Sequence, residues 1–172
     1  IGGPDAKGQK LRIFGVILAG GAGRRLGGQD KALLRVQGQT LLTHAIDRLY
    51  PQVETLAISY NGAGLDQDFP ILPDAAPLGP LAGIMSALTW AAAQGADAVV
   101  SVAVDTPHFP CDLVPQLYLA GDGNLAIARA ARIHATFGLW PVRLLPAIAR
   151  FLASGVNPKV MDFCDQNGAS YA

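Results

Sequence analysis

Val16 to Leu34 reads VILAGGAGRRLGGQDKALL. The apolar run Val16-Ile17-Leu18 gives way to a loop of five glycines with two adjacent arginines, Arg24 and Arg25, and Asp30-Lys31 then opens a second apolar run. An apolar run ending in glycines reads as a buried strand that brings its backbone close to a ligand, since glycine has no Cβ to stand in the way. Packing alone gives no reason for three cations in a glycine-rich loop. Arginine forks and a lysine point charge suit phosphate oxygens. The stretch therefore predicts a phosphate, carried by a nucleotide, above the end of a first strand.

Two familiar phosphate loops can be tested against it. A P-loop needs Gly-Lys followed by Ser or Thr, and no such tripeptide occurs in the chain. The dinucleotide fingerprint GxGxxG is half present as Gly21-Ala22-Gly23-Arg24-Arg25-Leu26, with leucine in place of the third glycine. The acidic residue expected at the end of a second strand is replaced by Ser59-Tyr60-Asn61. An NAD-binding oxidoreductase remains as an alternative reading of these residues.

Around this loop, apolar β-branched runs alternate with helical patterns, the signature of an α/β fold with a mainly parallel sheet buried on both faces. Strands are predicted at Ile13–Leu18, Thr55–Ser59, Phe69–Leu72, Ala98–Val104, Leu125–Ala128 and Ala135–Leu139. Helices are predicted from Thr40, a candidate N-cap, to Tyr50 before Pro51, and from Pro80 through Leu81–Ala93 to Gly95. Further helices are expected from Asp112, a candidate cap, to Leu119, over Leu144–Ala153, and over Val160–Asp165. The first ten residues, IGGPDAKGQK, are largely polar and glycine-rich and read as a disordered or extraneous tail. Residues 11–172 read as a single domain.

Of the 172 residues, 51% are hydrophobic and 15% charged, enough to build a sizeable core. Thirteen basic residues balance thirteen acidic ones, which argues against a nucleic-acid or membrane-surface binder relying on a cationic field. No apolar run approaches the ~18 residues of a membrane span, so a cytoplasmic protein is expected. Cys111 and Cys164 lack CxxC spacing or a histidine partner and read as a free, mostly buried pair. His44 and His134 are lone imidazoles and read as structural.

In open α/β sheets ligands collect beyond the carboxyl ends of the strands. Several chemically pointed residues fall there: the glycine-arginine loop after strand one, Ser59 and Asn61 after strand two, Asp74 after strand three, and Asp105 after the strand that follows. Gly79-Pro80-Leu81-Ala82-Gly83 begins a helix, whose free N–H groups and partial positive charge suit an anion. Singly, Asp74 after proline, Asp105 before Thr-Pro and the GPLAG connection each suit an ordinary turn. Taken together they describe one pocket.

Leu18-Ala19-Gly20-Gly21, Arg25-Leu26-Gly27-Gly28, Asp30-Lys31, Asp74, Gly79 to Gly83 and Asp105-Thr106-Pro107 occur in that order. In order and spacing the chain resembles the molybdenum cofactor guanylyltransferases from Phe14 to Tyr171. Related sugar-nucleotide and cytidylyl transferases usually carry Ala-Ala-Gly in the first loop, where this chain has Ala-Gly-Gly. The resemblance implies a three-layer α/β sandwich with a Rossmann-like nucleotidyltransferase sheet. It also implies transfer of GMP from GTP to the terminal phosphate of molybdopterin, with Mg2+ and release of pyrophosphate. By position, Leu18, Ala19, Gly20 and Gly21 would line the nucleotide with backbone groups, and Lys31 would neutralise phosphates. Asp74 would help hold the guanosine, Asp105 would bind Mg2+, and Arg25 and Gly28 match loop positions associated with activity. Ser59, Asn61, Gly79, Pro80 and Leu81 complete the expected nucleotide site. The expected partners are GTP, the molybdopterin acceptor, and molybdenum-insertion or molybdoenzyme-chaperone proteins.

The chain departs from the family pattern in three places. Ser59-Tyr60-Asn61 keeps only the second asparagine of a common Asn-x-Asn, Ala135 stands where proline is frequent, and Ala172 is the last residue, ahead of a segment implicated in pterin binding. The alternatives kept beside the guanylyltransferase are a GTP-binding module that has lost transfer and a molybdopterin cytidylyltransferase.

Overall fold

A computed structural model describes residues 11–20, 31–62, 65, 67–73, 79–154 and 159–172. In chain order the elements are β1 (Ile13–Leu18), a 3-10 turn (Lys31–Leu33), β2 (Arg35–Val36), β3 (Gln39–Thr40) and α1 (Leu41–Leu49) with a 3-10 extension (Tyr50–Gln52). There follow β4 (Leu56–Ser59), β5 (Ile71–Leu72), α2 (Pro80–Ala93), β6 (Ala98–Ala103), α3 (Leu113–Gly121), β7 (Ala126–Arg129) and β8 (Ile133–Pro141). A 3-10 turn (Val142–Leu144), α4 (Leu145–Ala153), α5 (Val160–Gln166) and β9 (Ser170–Tyr171) complete them.

Seven strands form one sheet in the order β5-β4-β1-β6-β8-β7-β9, and β2 and β3 form a separate hairpin. β1 pairs in parallel with β4 and β6, β4 pairs in parallel with β5, and β7 pairs in parallel with β9. Only β8 runs against its neighbours. The sheet is thus mainly parallel, and apolar cores cover both faces. Ile13 and Ile17 of β1 point to one core, with Leu42, Ala45 and Leu49 of α1 and Leu113 and Leu117 of α3. Phe14, Val16 and Leu18 point to the other, with Ile84 and Leu88 of α2, Ile148 of α4 and Phe163 of α5. Burial on both faces is why β1 reads as a continuous apolar run rather than an alternating one.

Local signals account for the placement of α1. Thr40 caps it, its Oγ1 accepting from the Thr43 N–H at 3.1 Å. Gly15 lets α1 sit directly on β1: a Cβ there would lie 2.9 Å from Leu49 Cδ2 and 3.1 Å from Leu56 Cβ.

The structure corrects several expectations. The two strands expected at Leu125–Ala128 and Ala135–Leu139 are Ala126–Arg129 and the longer Ile133–Pro141, which pair antiparallel. The β2–β3 hairpin turns through Gln37 and Gly38, both at positive φ (53° and 88°). Glutamine in such a position lacks the Asn-Gly signature that usually announces a two-residue hairpin. β9 has only two residues, too few for any periodicity; backbone bonds hold it, Ser170 N–H to Leu125 O at 2.9 Å and Ala172 N–H to Ile127 O at 3.1 Å. Asp112 precedes α3 but its side chain makes no capping hydrogen bond. The cysteines are both free, yet only Cys164 is buried; Cys111 is exposed.

A short polar chain links the neighbouring strands β6 and β8. Trp140, fully buried, donates its Nε1–H to Ser101 Oγ at 2.8 Å, and Ser101 donates in turn to Thr136 O at 2.8 Å. Ser101→Ala leaves the indole N–H without its acceptor, and is expected to lower unfolding free energy by about 1–3 kcal/mol in urea titration. Burial pushes the Cys164 thiol up to about 12. Alkylation at pH 8 is therefore expected to modify Cys111 alone in the folded protein and both thiols in denaturant, read by mass spectrometry.

Candidate functional site

From β1 the chain moves outward to β4 and β5, then returns to the other side of β1 to lay down β6. The crevice beyond the carboxyl ends of β1 and β6 is consequently the switch point, where open α/β sheets bind ligands. Leu18 is in register with Ala103, so the segments that follow leave the sheet side by side. Two bonds extend the ladder one step beyond the strands: Ala19 N–H to Ser59 O at 2.9 Å and Val104 N–H to Leu18 O at 3.2 Å.

Two opposite charges meet above this crevice. Lys31 Nζ lies 3.2 Å from Asp105 Oδ2, and the two side chains are 35% and 48% exposed. Each has a firm mounting. Lys31 begins the 3-10 turn whose Ala32 is fully buried, and Leu41 at the start of α1 donates to Leu34 O at 2.8 Å just behind it. Asp105 follows β6 in a turn closed by Thr106 N–H to Ala103 O at 3.3 Å, and the Thr106 hydroxyl lies 3.5 Å from Asp105 Oδ1. Pro107 and Phe109 beyond it are buried.

The N-terminus of α2 faces the same end of the sheet. Its capping residue, Gly79, has φ 77° and ψ −168°, a conformation essentially limited to glycine. No side chain caps the helix, and Pro80 at its first position has no N–H to satisfy. Ser86 Oγ donates to Pro73 O at 3.3 Å, tying α2 to the segment leaving β5. Leu81 is fully buried, so at this helix start it presents its backbone N–H rather than its side chain. Leu18 and Ser59 are 7% and 1% exposed and their carbonyls are taken by the sheet, accepting from Val104 and Ala19 N–H, whereas Asn61 is exposed. Ala19 and Gly20 are half-buried at the crevice floor.

Leu18, Ala19, Gly20, Lys31, Ser59, Asn61, Gly79, Pro80, Leu81 and Asp105 thus all lie at the carboxyl side of the parallel strands. Gly21, Arg24, Arg25, Gly28 and Asp74 lie outside the described residues. The sequence reading missed the side chains of α1 that grip the Asp105 loop, Arg48 above all, whose Nη1 donates to Phe109 O at 2.7 Å. Their spacing of four residues, His44, Arg48 and Gln52, is the signal that could have found them. A cavity of about 350 Å³ lined by Ile13, Ala98, Tyr118 and Arg143 opens at the amino ends of β1 and β6, the opposite end of the sheet.

The acidic group present suits Mg2+. That ion is held by one or two carboxylates with substrate phosphates, rather than by an all-protein cage. Among the described residues no group of three or more His, Cys, Asp or Glu side chains gathers, and Asp105 stands exposed at the strand end with an ammonium as neighbour that phosphate oxygens can also attract. Among the described residues no helix is long and apolar enough to cross a membrane.

Comparison with known proteins agrees with this fold. The MobA-like NTP transferase domain matches residues 15–167. A molybdenum cofactor guanylyltransferase of Cereibacter sphaeroides is 51% identical over 168 residues, covering 94% of this chain and 86% of its own. One from Mesorhizobium japonicum is 41% identical, covering 91% and 80%. Among solved structures, molybdopterin-guanine dinucleotide biosynthesis protein A from Archaeoglobus fulgidus superposes with a TM-score of 0.71 at 18% identity, covering 92% and 82%. A Mycobacterium tuberculosis protein solved in complex with manganese gives 0.67 at 17%, covering 94% and 87%. A divalent metal thus appears in a protein of this fold. The chain belongs to the MobA-like NTP transferase family and is a nucleotidyltransferase of the molybdenum cofactor guanylyltransferase type.

Proposed function

We propose that this chain transfers GMP from GTP to the terminal phosphate of a molybdopterin acceptor. An acceptor phosphate oxygen bonds to the α-phosphorus of GTP, the bond from that phosphorus to the β-bridging oxygen breaks, and pyrophosphate leaves with the bonding pair. The observation that carries the reading is the pairing of Lys31 with Asp105 at 3.2 Å above the β1–β6 crevice. Of a cation and a carboxylate held side by side, the cation can attract phosphate oxygens and the carboxylate could hold a divalent ion.

On nucleotide binding Lys31 releases Asp105 and turns to the phosphates. The exchange is cheap, because an ion pair this exposed contributes about 0–1 kcal/mol. Asp105, with substrate oxygens, is the residue that would hold Mg2+; the ion when bound neutralises charge developing on the leaving pyrophosphate. The N-terminus of α2, uncapped behind Gly79, offers its partial positive charge to anionic oxygens. Ala19 and Gly20 expose backbone to the nucleotide, and Arg25, Gly21 and Asp74 complete its loop and guanosine contacts in this reading. The acceptor oxygen is already anionic, so no strong general base is required. Rate enhancement comes from alignment and charge stabilisation.

Pyrophosphate release with molybdopterin as acceptor tests reaction and base choice together: GTP is expected to support turnover and CTP to support little. Comparable rates with both nucleotides would contradict the guanylyl assignment. Asp105→Asn is expected to lower kcat by ~100-fold or more. Lys31→Ala is expected to weaken GTP binding by about 10- to 100-fold in calorimetry, the loss of one charge-assisted hydrogen bond. An Asp105→Asn protein with full turnover would remove that residue from the metal site.

A further inference from the structure

His44, Arg48 and Gln52 stand four residues apart on α1 and its 3-10 extension, and so on one side of the helix. That side does not pack into the apolar core; it holds loops. At its near end His44 Nε2 donates to Val36 O at 2.8 Å, in the hairpin that follows Lys31. The His44 ring also lies 6.2 Å from that of His108, three residues beyond Asp105. Arg48 Nη1 donates to Phe109 O at 2.7 Å. Gln52 then closes the row, its Nε2 donating to Pro110 O at 3.3 Å and its Oε1 accepting from Val114 N–H at 3.0 Å.

The loop held in this way is the one that carries Asp105. On its upstream side Val104 is bonded to Leu18 O. Downstream the loop turns through Pro107, Phe109 and Pro110, and the two prolines have no N–H with which to bond the loop to anything. Two consecutive carbonyls of the loop, Phe109 O and Pro110 O, are taken by Arg48 of α1 and Gln52 of its 3-10 extension. The Phe109 ring adds an apolar anchor, 5.7 Å from the Phe137 ring. Asp105 is therefore strung between a strand end and a helix side, while the same helix carries the Lys31 turn at its other end through Leu41 N–H to Leu34 O.

Resting on the nucleotidyl-transfer reading of the site, we propose that Arg48 is a positioning residue for the reaction. It acts through the Phe109 carbonyl to hold Asp105 opposite Lys31, making α1 the common frame of the cation and the carboxylate. Arg48 touches neither charged group. A single Nη1–H makes the contact, from a planar group carried on the side of α1; a lysine ammonium can reach the same carbonyl, but from a flexible stem that fixes the loop less closely.

The full chain bearing Arg48→Met or Arg48→Lys is compared with wild type in three measurements. These are Mn2+ affinity by electron paramagnetic resonance with GTP present, kcat and KM for GTP in pyrophosphate release, and folding by circular dichroism with a urea midpoint. Arg48→Met is expected to lose ~10- to 100-fold in kcat and to weaken Mn2+ binding, with KM for GTP little changed, as displacement of one reacting group requires. Arg48→Lys is expected to recover part of both losses, and it carries the test should Arg48→Met not fold. Asp105→Asn is measured alongside, and adding Arg48→Met to it is expected to cost nothing further, since both changes act on one group. Arg48 variants that fold and keep both kcat and Mn2+ affinity within ~2-fold of wild type overturn the inference alone, as do losses that add fully to those of Asp105→Asn. Asp105→Asn retaining Mn2+ binding and turnover overturns both the inference and the site reading on which it rests.

Discussion

The parallel pairing of β1 with β6 is the constraint on which the site depends. It places Leu18 beside Ala103, so that the two segments emerging from the sheet carry Ala19-Gly20 and Val104-Asp105 next to each other. With the chain departing to β4 on one side and returning to β6 on the other, the crevice between them is open to a ligand. Among the described residues, no other adjacent pair of parallel strands in this sheet marks such a reversal. Burial of β1 on both faces holds the pairing in place, and Gly15 brings α1 close enough to become part of the same rigid unit.

On this frame the Lys31–Asp105 ion pair is best understood as a placeholder. At 3.2 Å and roughly a third to a half exposed, it does too little for stability to be explained as a structural bridge. What it does accomplish is mutual neutralisation of two groups that would otherwise repel or attract ligands singly. In the proposed function, a nucleotide that arrives with a divalent ion would satisfy both at once, phosphate oxygens toward Lys31 and the ion toward Asp105. Either ligand alone must break the pair for half the return. On that proposal the two would bind together, with α1 as the frame that sets how far apart they sit.

Much of this was legible in the chain. The apolar run Ile13–Leu18, the Thr40 cap and Pro80 at a helix start each carry a local signal strong enough to survive folding unchanged, and the strand expected at Ala98–Val104 forms one residue shorter, as Ala98–Ala103. Asp105 and Lys31, separated by 74 residues, could be nominated from residue type and position relative to strands, but their direct contact could not. What stayed hidden depends on tertiary pairing. β9 has two residues and exists because β7 offers it an edge. The Gln37-Gly38 turn adopts a hairpin conformation that glutamine does not advertise. Leu81 falls inside a ligand motif by sequence, yet its side chain belongs to the core. The grip of α1 on the Asp105 loop uses backbone carbonyls as acceptors, and no side-chain pattern in that loop records them.

Mn2+ binding to Lys31→Met, followed by electron paramagnetic resonance with and without GTP, tests the placeholder role most directly. Without GTP the variant is predicted to bind Mn2+ about 2- to 5-fold more tightly than wild type, because Asp105 no longer has a cation to displace. With GTP present the order reverses, because the phosphates have lost their lysine. Weaker Mn2+ binding than wild type under both conditions, or no difference under either, would contradict the account.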